Sequence, residues 1–186
     1  MAPQVQPIPP GYHTVSPHLA VRGGLEAMEF YKKAFSAEER GRFMTPDNTQ
    51  LMHGEIKIGD SIVMLGEENP QKGCPGPQSL GATTVSLFLY VQDADRVFNQ
   101  ALAAGAKSVM PVADMFWGDR AGTVSDPFGH QWTIATHKED VPPEEMKRRG
   151  QAYFEQMAGK RHRAIRRGLK GVAGAYEVDT VTTRTS

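Results

Sequence analysis

The sequence predicts an α+β fold built from two tandem β-α-β-β-β repeats. Apolar residues alternate with other side chains over residues 85–91, which is typical of a strand with two different faces. Over residues 94–102 the apolar spacing changes to one stripe of an amphipathic helix. The same strand-then-helix pattern occurs over residues 15–35, and three short strand-like runs follow each helix. The chain therefore contains two copies of one unit.

In the first repeat, residues 15–21 alternate in the manner of a strand, and the helix after them has an apolar stripe. Three strands are expected next, at residues 38–44, 51–58 and 61–65. Gly59 and Asp60 have the chemistry of a tight turn, so they are expected to join the last two strands as a hairpin.

In the second repeat, one face of the first strand carries Leu87 and Leu89 and is expected to be core. Its other face carries Ser86, Phe88 and Tyr90 and is free to line a site. Asp93 is a good helix N-cap, and a C-capping Gly105 is expected to end the helix. The remaining strands are predicted at 107–112, 122–125 and 130–136, with a tight turn at 126–129.

Composition suggests where the loop between the repeats and the terminal segments begin and end. The lone Cys74 lies in a loop rich in Pro and Gly and has no second cysteine for a disulfide or a cysteine-based metal site. The predicted organisation is a Pro-rich arm at 1–12, a folded domain at 13–140 (repeat one 13–68, loop 69–82, repeat two 83–140), a C-terminal helix at 141–159 and a basic, flexible tail at 160–186.

Several function classes are not favoured. No apolar run approaches the roughly 20 residues of a membrane span, and the first residues lack the pattern of a signal peptide, so a cytoplasmic protein is expected.

The net charge of zero combines a mildly acidic body with a basic stretch at 160–170. That stretch could contact nucleic acid or an acidic partner, but a solvated or partner-ordered extension is the favoured interpretation, and nucleic-acid binding is not expected.

A set of motifs carries a family resemblance. AMEFYKKAF lies in the first helix, IGDSIVML in the first hairpin, and PVADMFWGDRAGTVSDPFGH and ATHKEDVPPEEM towards the end of the second repeat. Together they resemble the vicinal oxygen chelate superfamily, which includes glyoxalase I, bleomycin-resistance proteins and extradiol dioxygenases, and within it the PhnB-like branch. The resemblance covers about residues 10–150. It implies an open cup of mixed β-sheet with ligand inside and helices outside, and it implies a homodimer.

The resemblance also locates where a metal would bind. Metal-dependent members use four His, Glu or Gln ligands from the first and fourth strands of each repeat. The matching positions in this sequence are Ser16, Met64, Ser86 and Thr133, and none is a usual ligand. We therefore expect no metal and no other cofactor. A displaced divalent metal site that uses His18 with His53 or Glu55 is the alternative.

The cup is expected to be a mostly apolar, aromatic pocket with a few polar groups, as in many small-molecule sites. Ordinary core packing of the same residues is the alternative. Arg120, beside Asp119, fits either a functional pair or a structural ion pair, and the structural role is favoured. The predicted ligand-binding residues are Ser16, His18, Met64, Ser86, Phe88, Tyr90, Phe116, Trp117, Arg120 and Thr133.

These observations lead to three functional hypotheses. The first is a dimeric protein that binds a hydrophobic or aromatic small molecule in a metal-free cup, without the usual lyase activity. The second is a lyase or isomerase, either with a displaced metal or with His18 as catalytic acid or base and Tyr90 orienting the substrate. The third is an interaction protein recruited through its basic tail. The fold alone does not choose among them, so whether the protein is an enzyme stays open.

Overall fold

The computed structural model describes the backbone of residues 5–172 and the side chains of residues 5–159. The chain divides into two compact units, Met1–Lys138 and Glu139–Ser186. The first unit contains both repeats and the hydrophobic core. The second contains one long helix.

The first repeat forms a four-stranded mixed sheet, called sheet 1, in the order β1-β4-β3-β2. β1 runs parallel to β4, and the other pairs are antiparallel. The elements are β1 (His18–Val21), α1 (Gly24–Phe35), β2 (Glu38–Met44), β3 (Leu51–Ile58) and β4 (Ser61–Glu67).

The second repeat has the same topology and forms sheet 2, in the order β5-β8-β7-β6. A linker that contains a short 3-10 helix (Pro70–Lys72) and α2 (Pro77–Leu80) precedes it. Its elements are β5 (Ser86–Tyr90), α3 (Ala94–Ala103), β6 (Lys107–Asp114), β7 (Asp119–Ser125) and β8 (Gln131–His137). The predicted α+β fold of two β-α-β-β-β repeats is confirmed, with strand ends that differ from the prediction by a few residues.

In both repeats the fourth strand caps the helix that follows the first strand. The Glu67 carboxylate accepts hydrogen bonds from the amides of Gly23 and Gly24, at 2.8 and 2.9 Å, at the start of α1. The Thr136 hydroxyl accepts from the amide of Ala94 at 2.8 Å, at the start of α3. The first amides of a helix have no partner within the helix, so these contacts satisfy them and fix each helix against its own sheet. Asp93 is the N-cap of α3 and accepts from the amide of Arg96, as predicted.

A single hydrophobic core joins the two repeats. α1 and α3 pack against each other, and each also packs on its own sheet. The rings of Tyr31 and Phe35 on α1 contact Trp132 on β8, with centroids 5.4 and 4.7 Å apart. Each sheet therefore turns one face towards the helices. We call the other side, which is turned away from this shared core, the outer face of each sheet.

The predicted turn at residues 126–129 also has a role inside the core. Asp126 is buried and accepts four hydrogen bonds, from the Tyr31 hydroxyl, the Trp132 indole and the amides of Phe128 and His130. Because buried polar groups are costly unless paired, this set of contacts makes the turn a structural joint between the repeats.

The second unit consists mainly of α4 (Pro143–Val172), which continues beyond residue 159, where the predicted helix ended. Glu145 in its first turn forms ion pairs with Arg148 and Arg149, which hold the pKa of Glu145 at about 2. The predicted flexible tail therefore begins within this helix, and its part at 173–186 lies outside the described residues. Over the described part of the chain, no helix has the length and apolar character needed to cross a membrane.

Candidate functional site

The register of sheet 1 places four predicted or alternative site residues on its outer face. His18 is paired with Met64, and Met64 is paired with Glu55 on the next strand. Directly opposite residues in a sheet project from the same face, and His53 lies two residues from Glu55, so it shares that face. The intervening residues Leu19 and Leu65 are buried in the core.

The outer face of sheet 2 carries the corresponding residues of the second repeat. Phe88 is paired with Thr133, as His18 is paired with Met64, so the two repeats place equivalent positions in register. Ser86 and Tyr90 lie two residues to either side of Phe88 and share its face. The side chains of Leu87 and Leu89 point the other way and are partly buried against the core.

The predicted site is divided between the two sheets. Sheets 1 and 2 are separate four-stranded sheets, and β1 and β5 are edge strands. Both outer faces are turned away from the shared core, so one chain presents two half-sites rather than one enclosed cup. Ser16 lies in the loop before β1, where its hydroxyl donates to the carbonyl of His13 at 3.4 Å.

Two large aromatic side chains are exposed on sheet 2. Phe88 is 51% exposed and Tyr90 is 61% exposed, and their ring centroids are 5.0 Å apart. Phe116 and Trp117, in the turn between β6 and β7, form an edge-to-face pair with the same 5.0 Å separation and are partly buried. The second repeat therefore offers a surface of aromatic rings.

A buried carboxylate organises this surface. Asp119 is only 3% exposed and accepts hydrogen bonds from the Tyr90 hydroxyl at 3.0 Å, the Trp117 indole at 2.9 Å and His137 Nδ1 at 2.8 Å. We call these four residues the Asp119 cluster. Burial alone would raise the pKa of Asp119, but the hydrogen bonds from His137, Tyr90 and Trp117 outweigh it and hold the pKa below its ordinary value. The bond to Asp119 raises the pKa of Tyr90.

The sequence analysis considered Asp119 only as a partner of Arg120 and did not include it among the predicted ligand-binding residues, and it missed His137. The strand β7 begins at Asp119, not at residue 122 as predicted. A predicted strand with the earlier start would have placed Asp119 on the same face as Ala121 and Thr123. The register then pairs Asp119 with His137 at the end of β8.

Arg120 projects from the opposite side of β7. Its guanidinium pairs with Asp95 on α3 and with Asp114 on β6, and these carboxylates raise its pKa. Arg120 does not lie on the outer face with Tyr90. Asp119 and Arg120 therefore do not pair with each other: Arg120 has a structural role in ion pairs with Asp95 and Asp114, while Asp119 belongs to the Asp119 cluster.

Ionisable groups also meet on sheet 1. The rings of His18 and His53 are stacked with centroids 6.2 Å apart, and His53 Nε2 lies 3.1 Å from the Glu55 carboxylate. Burial, and then the neighbouring His53, lowers the pKa of His18. Hydrogen bonds with Tyr12 and His53 lower the pKa of Glu55.

The donor groups on these faces do not fit the metal that the family resemblance implies. Ser16, Met64, Ser86 and Thr133 occupy the usual ligand positions, and they supply neither imidazole nor carboxylate. For the displaced alternative, His53 Nε2 already contacts the Glu55 carboxylate, and the His18 ring is stacked against the His53 ring. Within the described residues, no group of three or more His, Cys, Asp or Glu side chains is arranged to hold a metal ion.

Comparison with known proteins agrees with this architecture. Residues 13–134 match the family model of the Glyoxalase/Bleomycin resistance protein/Dioxygenase superfamily. The chain is 43% identical over 136 residues to the uncharacterised protein Mb0911c of Mycobacterium bovis, a match that covers 71% of this chain and 88% of that protein.

Solved structures show the same fold. The At5g48480 gene product of Arabidopsis thaliana is 27% identical, with a TM-score of 0.55 over 66% of this chain and 98% of that one. The PhnB protein of Bacillus cereus is 19% identical, with a TM-score of 0.53 over 67% and 99% of the two chains. The chain therefore belongs to the glyoxalase/bleomycin resistance/dioxygenase superfamily, with PhnB-like proteins among its structural neighbours.

Proposed function

We propose that this protein binds a hydrophobic or aromatic small molecule, without a metal, in a cup shared between two copies of the chain. In each cup the outer face of sheet 1 from one copy covers the outer face of sheet 2 from the other. The observation that carries the proposal is the pair of exposed rings, Phe88 and Tyr90, beside the buried Asp119.

Exposure of these rings has a free-energy cost that binding would recover. Large apolar side chains grouped on a surface usually mark a site of interaction. The Asp119 cluster fixes the Tyr90 hydroxyl and the Trp117 indole through the same carboxylate. A surface fixed in this way loses little conformational entropy when a ligand binds, which favours affinity.

The need for a second copy follows from the arrangement of the two faces. Small-molecule sites are usually concave and bury most of the ligand surface. Each outer face belongs to a separate open sheet, so neither encloses a ligand alone. Sheet 1 contributes an exposed apolar side chain of its own, Phe43, which is paired with His53 and is 65% exposed. Two copies related by a two-fold axis would form two equivalent cups.

Binding of Nile red, an uncharged aromatic dye, tests this proposal. We expect the full chain to bind the dye with increased fluorescence and Phe88→Ala to weaken binding by at least about ten-fold, because the ring supplies much of the apolar contact. Phe154→Ala is the control, since Phe154 is also an exposed phenylalanine but lies on α4 rather than on either sheet. Equal affinity for wild type and Phe88→Ala would contradict the proposal.

A lyase or isomerase is the second candidate, and the Asp119 cluster is the observation that favours it. A carboxylate that holds one nitrogen of a histidine fixes the tautomer and orientation of the ring, as in many acid-base sites. His18, the predicted catalytic residue, lies on sheet 1 and would meet this cluster only in a shared cup. His137→Gln separates the two functions, since a binder keeps its affinity for Nile red whereas an enzyme loses turnover.

A further inference from the structure

A cleft in the first unit lies between the two repeats, at the end of β5. Tyr90 and His137 of the Asp119 cluster contribute to its lining, whereas Phe88 does not. It opens where the end of β5 approaches the β3–β4 turn, and the end of α1 and the start of α3 complete it. Its volume is about 630 Å³, which is within the range of small-molecule sites. We call it the inter-repeat cleft, because both repeats line it.

The floor of the cleft is apolar. Phe35, Ile58 and Val97 are each 6–7% exposed, and Leu89 is partly buried against the same core. The Phe35 ring is held by its contact with Trp132, so the floor is firmly packed. A ligand that enters the cleft would therefore place an apolar body on this floor.

The rim of the cleft carries two cations. In the described part of the chain, Lys57 has no ion pair or side-chain hydrogen bond, and the Arg96 guanidinium bonds only to the neutral Gln100 side chain. The one carboxylate in the lining, Glu38, is opposite Lys57 in the sheet register but forms no ion pair within 4 Å in that part of the chain. The charged lining thus has an excess of positive charge over an apolar floor.

The inter-repeat cleft also has a backbone hydrogen-bond donor, the amide of Tyr90, at its border. The amide of Val91 donates to the Ala135 carbonyl, towards β8. Because successive residues of a strand direct their amides to opposite sides, the amide of Tyr90 is directed to the free edge of β5, which borders the cleft. An unpaired amide at a strand edge is a donor for an oxygen atom of a ligand.

We propose that the inter-repeat cleft binds an amphipathic anion, with an aromatic or aliphatic body on the apolar floor and a carboxylate, sulfonate or phosphate between Lys57 and Arg96. This site requires only one chain, and Phe88, the ring on which the shared-cup proposal depends most, does not line it. It differs in chemistry as well, because the cup is proposed to select uncharged apolar compounds.

The test uses 1-anilinonaphthalene-8-sulfonate, an aromatic sulfonate whose fluorescence rises in apolar surroundings, with the full chain. Lys57→Gln and Arg96→Gln should each weaken binding about ten-fold, since each removes a charge-assisted contact. Lys107→Gln is the matched control, because Lys107 is an exposed lysine on β6 outside the cleft. It should bind the dye as the wild type does.

Three results would overturn the proposal. The first is unchanged dye affinity in folded Lys57→Gln and Arg96→Gln, and the second is an equal loss in Lys107→Gln. The third is loss of binding in Phe88→Ala, which would place the dye in the cup. Nile red distinguishes the two sites, because its affinity should depend on Phe88 and not on Arg96. The two dyes therefore test the shared cup and the inter-repeat cleft separately, so one proposal can fail while the other holds.

Discussion

The Tyr31 hydroxyl donates a hydrogen bond of 2.7 Å to the Asp126 carboxylate, across 95 residues of sequence. Tyr31 belongs to the helix of the first repeat and Asp126 to the last turn of the second. Tyr31 is fully buried, and burial together with the nearby carboxylate raises its pKa well above the ordinary range. This bond connects the helix of the first repeat directly to the last turn of the second.

Asp126→Ala should lower the free energy of unfolding by more than about 3 kcal/mol, because it leaves several buried donors unpaired. Tyr31→Phe should cost less, about 1–2 kcal/mol, since it removes one donor and leaves three others on the carboxylate. Urea denaturation measures both. Asp93→Ala, which removes an exposed helix cap, is the comparison at about 1 kcal/mol. A smaller loss for Asp126→Ala than for Asp93→Ala would contradict this role.

Substitutions along β5 should separate binding from stability. Leu87→Ala and Leu89→Ala should each cost about 1–3 kcal/mol, less than a fully buried leucine, because both are only partly buried. Phe88→Ala should change stability by less than about 1 kcal/mol, since half of its side chain is already exposed. Thermal and urea unfolding test this order. Unfolding of Phe88→Ala with an unaffected Leu87→Ala would show that the faces are assigned the wrong way round.

The free energy of unfolding should depend on pH because His18 binds a proton less readily in the folded chain than in the unfolded chain. Its pKa in the folded chain is lowered from 6.5, by burial first and then by His53. Below 6.5 the unfolded chain therefore binds more protons than the folded chain, so stability falls as the pH decreases through this region. Urea unfolding above and below pH 6.5 should show a larger difference for wild type than for His18→Gln. Identical pH dependence would show that His18 titrates normally.

The hemithioacetal of methylglyoxal and glutathione should not be isomerised at an enzyme-like rate. That reaction needs a Lewis acid and a base, and the four positions where the family binds its metal carry Ser, Met, Ser and Thr. The measurement is turnover before and after treatment with a chelator and re-addition of Zn²⁺ or Ni²⁺. Strong turnover restored by metal would contradict the metal-free proposal.

Local patterns in the sequence were sufficient to predict the elements and the equivalence of the repeats. Strands and helices could be recognised because apolar residues recur with a period of two or of 3.6 residues. The helix cap at Asp93 and the turn at 126–129 likewise depend only on residues that are close in sequence. The Asp119 cluster could not, because it depends on the start of β7 and on its pairing with β8. The burial of Asp126 depends on contact with α1, which is distant in sequence. The division of the site between two sheets follows from helix packing, which periodicity does not specify.

The shared cup is tested most directly by combining two defective variants. His18→Ala alters sheet 1 and Phe88→Ala alters sheet 2, so each homodimer would have a defect in both of its cups. A heterodimer of the two variants, isolated with two different affinity tags, would have one cup with both defects and one with neither. We predict that each homodimer binds Nile red weakly and that the heterodimer recovers one wild-type site. A monomeric mass in solution, or a heterodimer that binds no better than its parents, would contradict the shared cup.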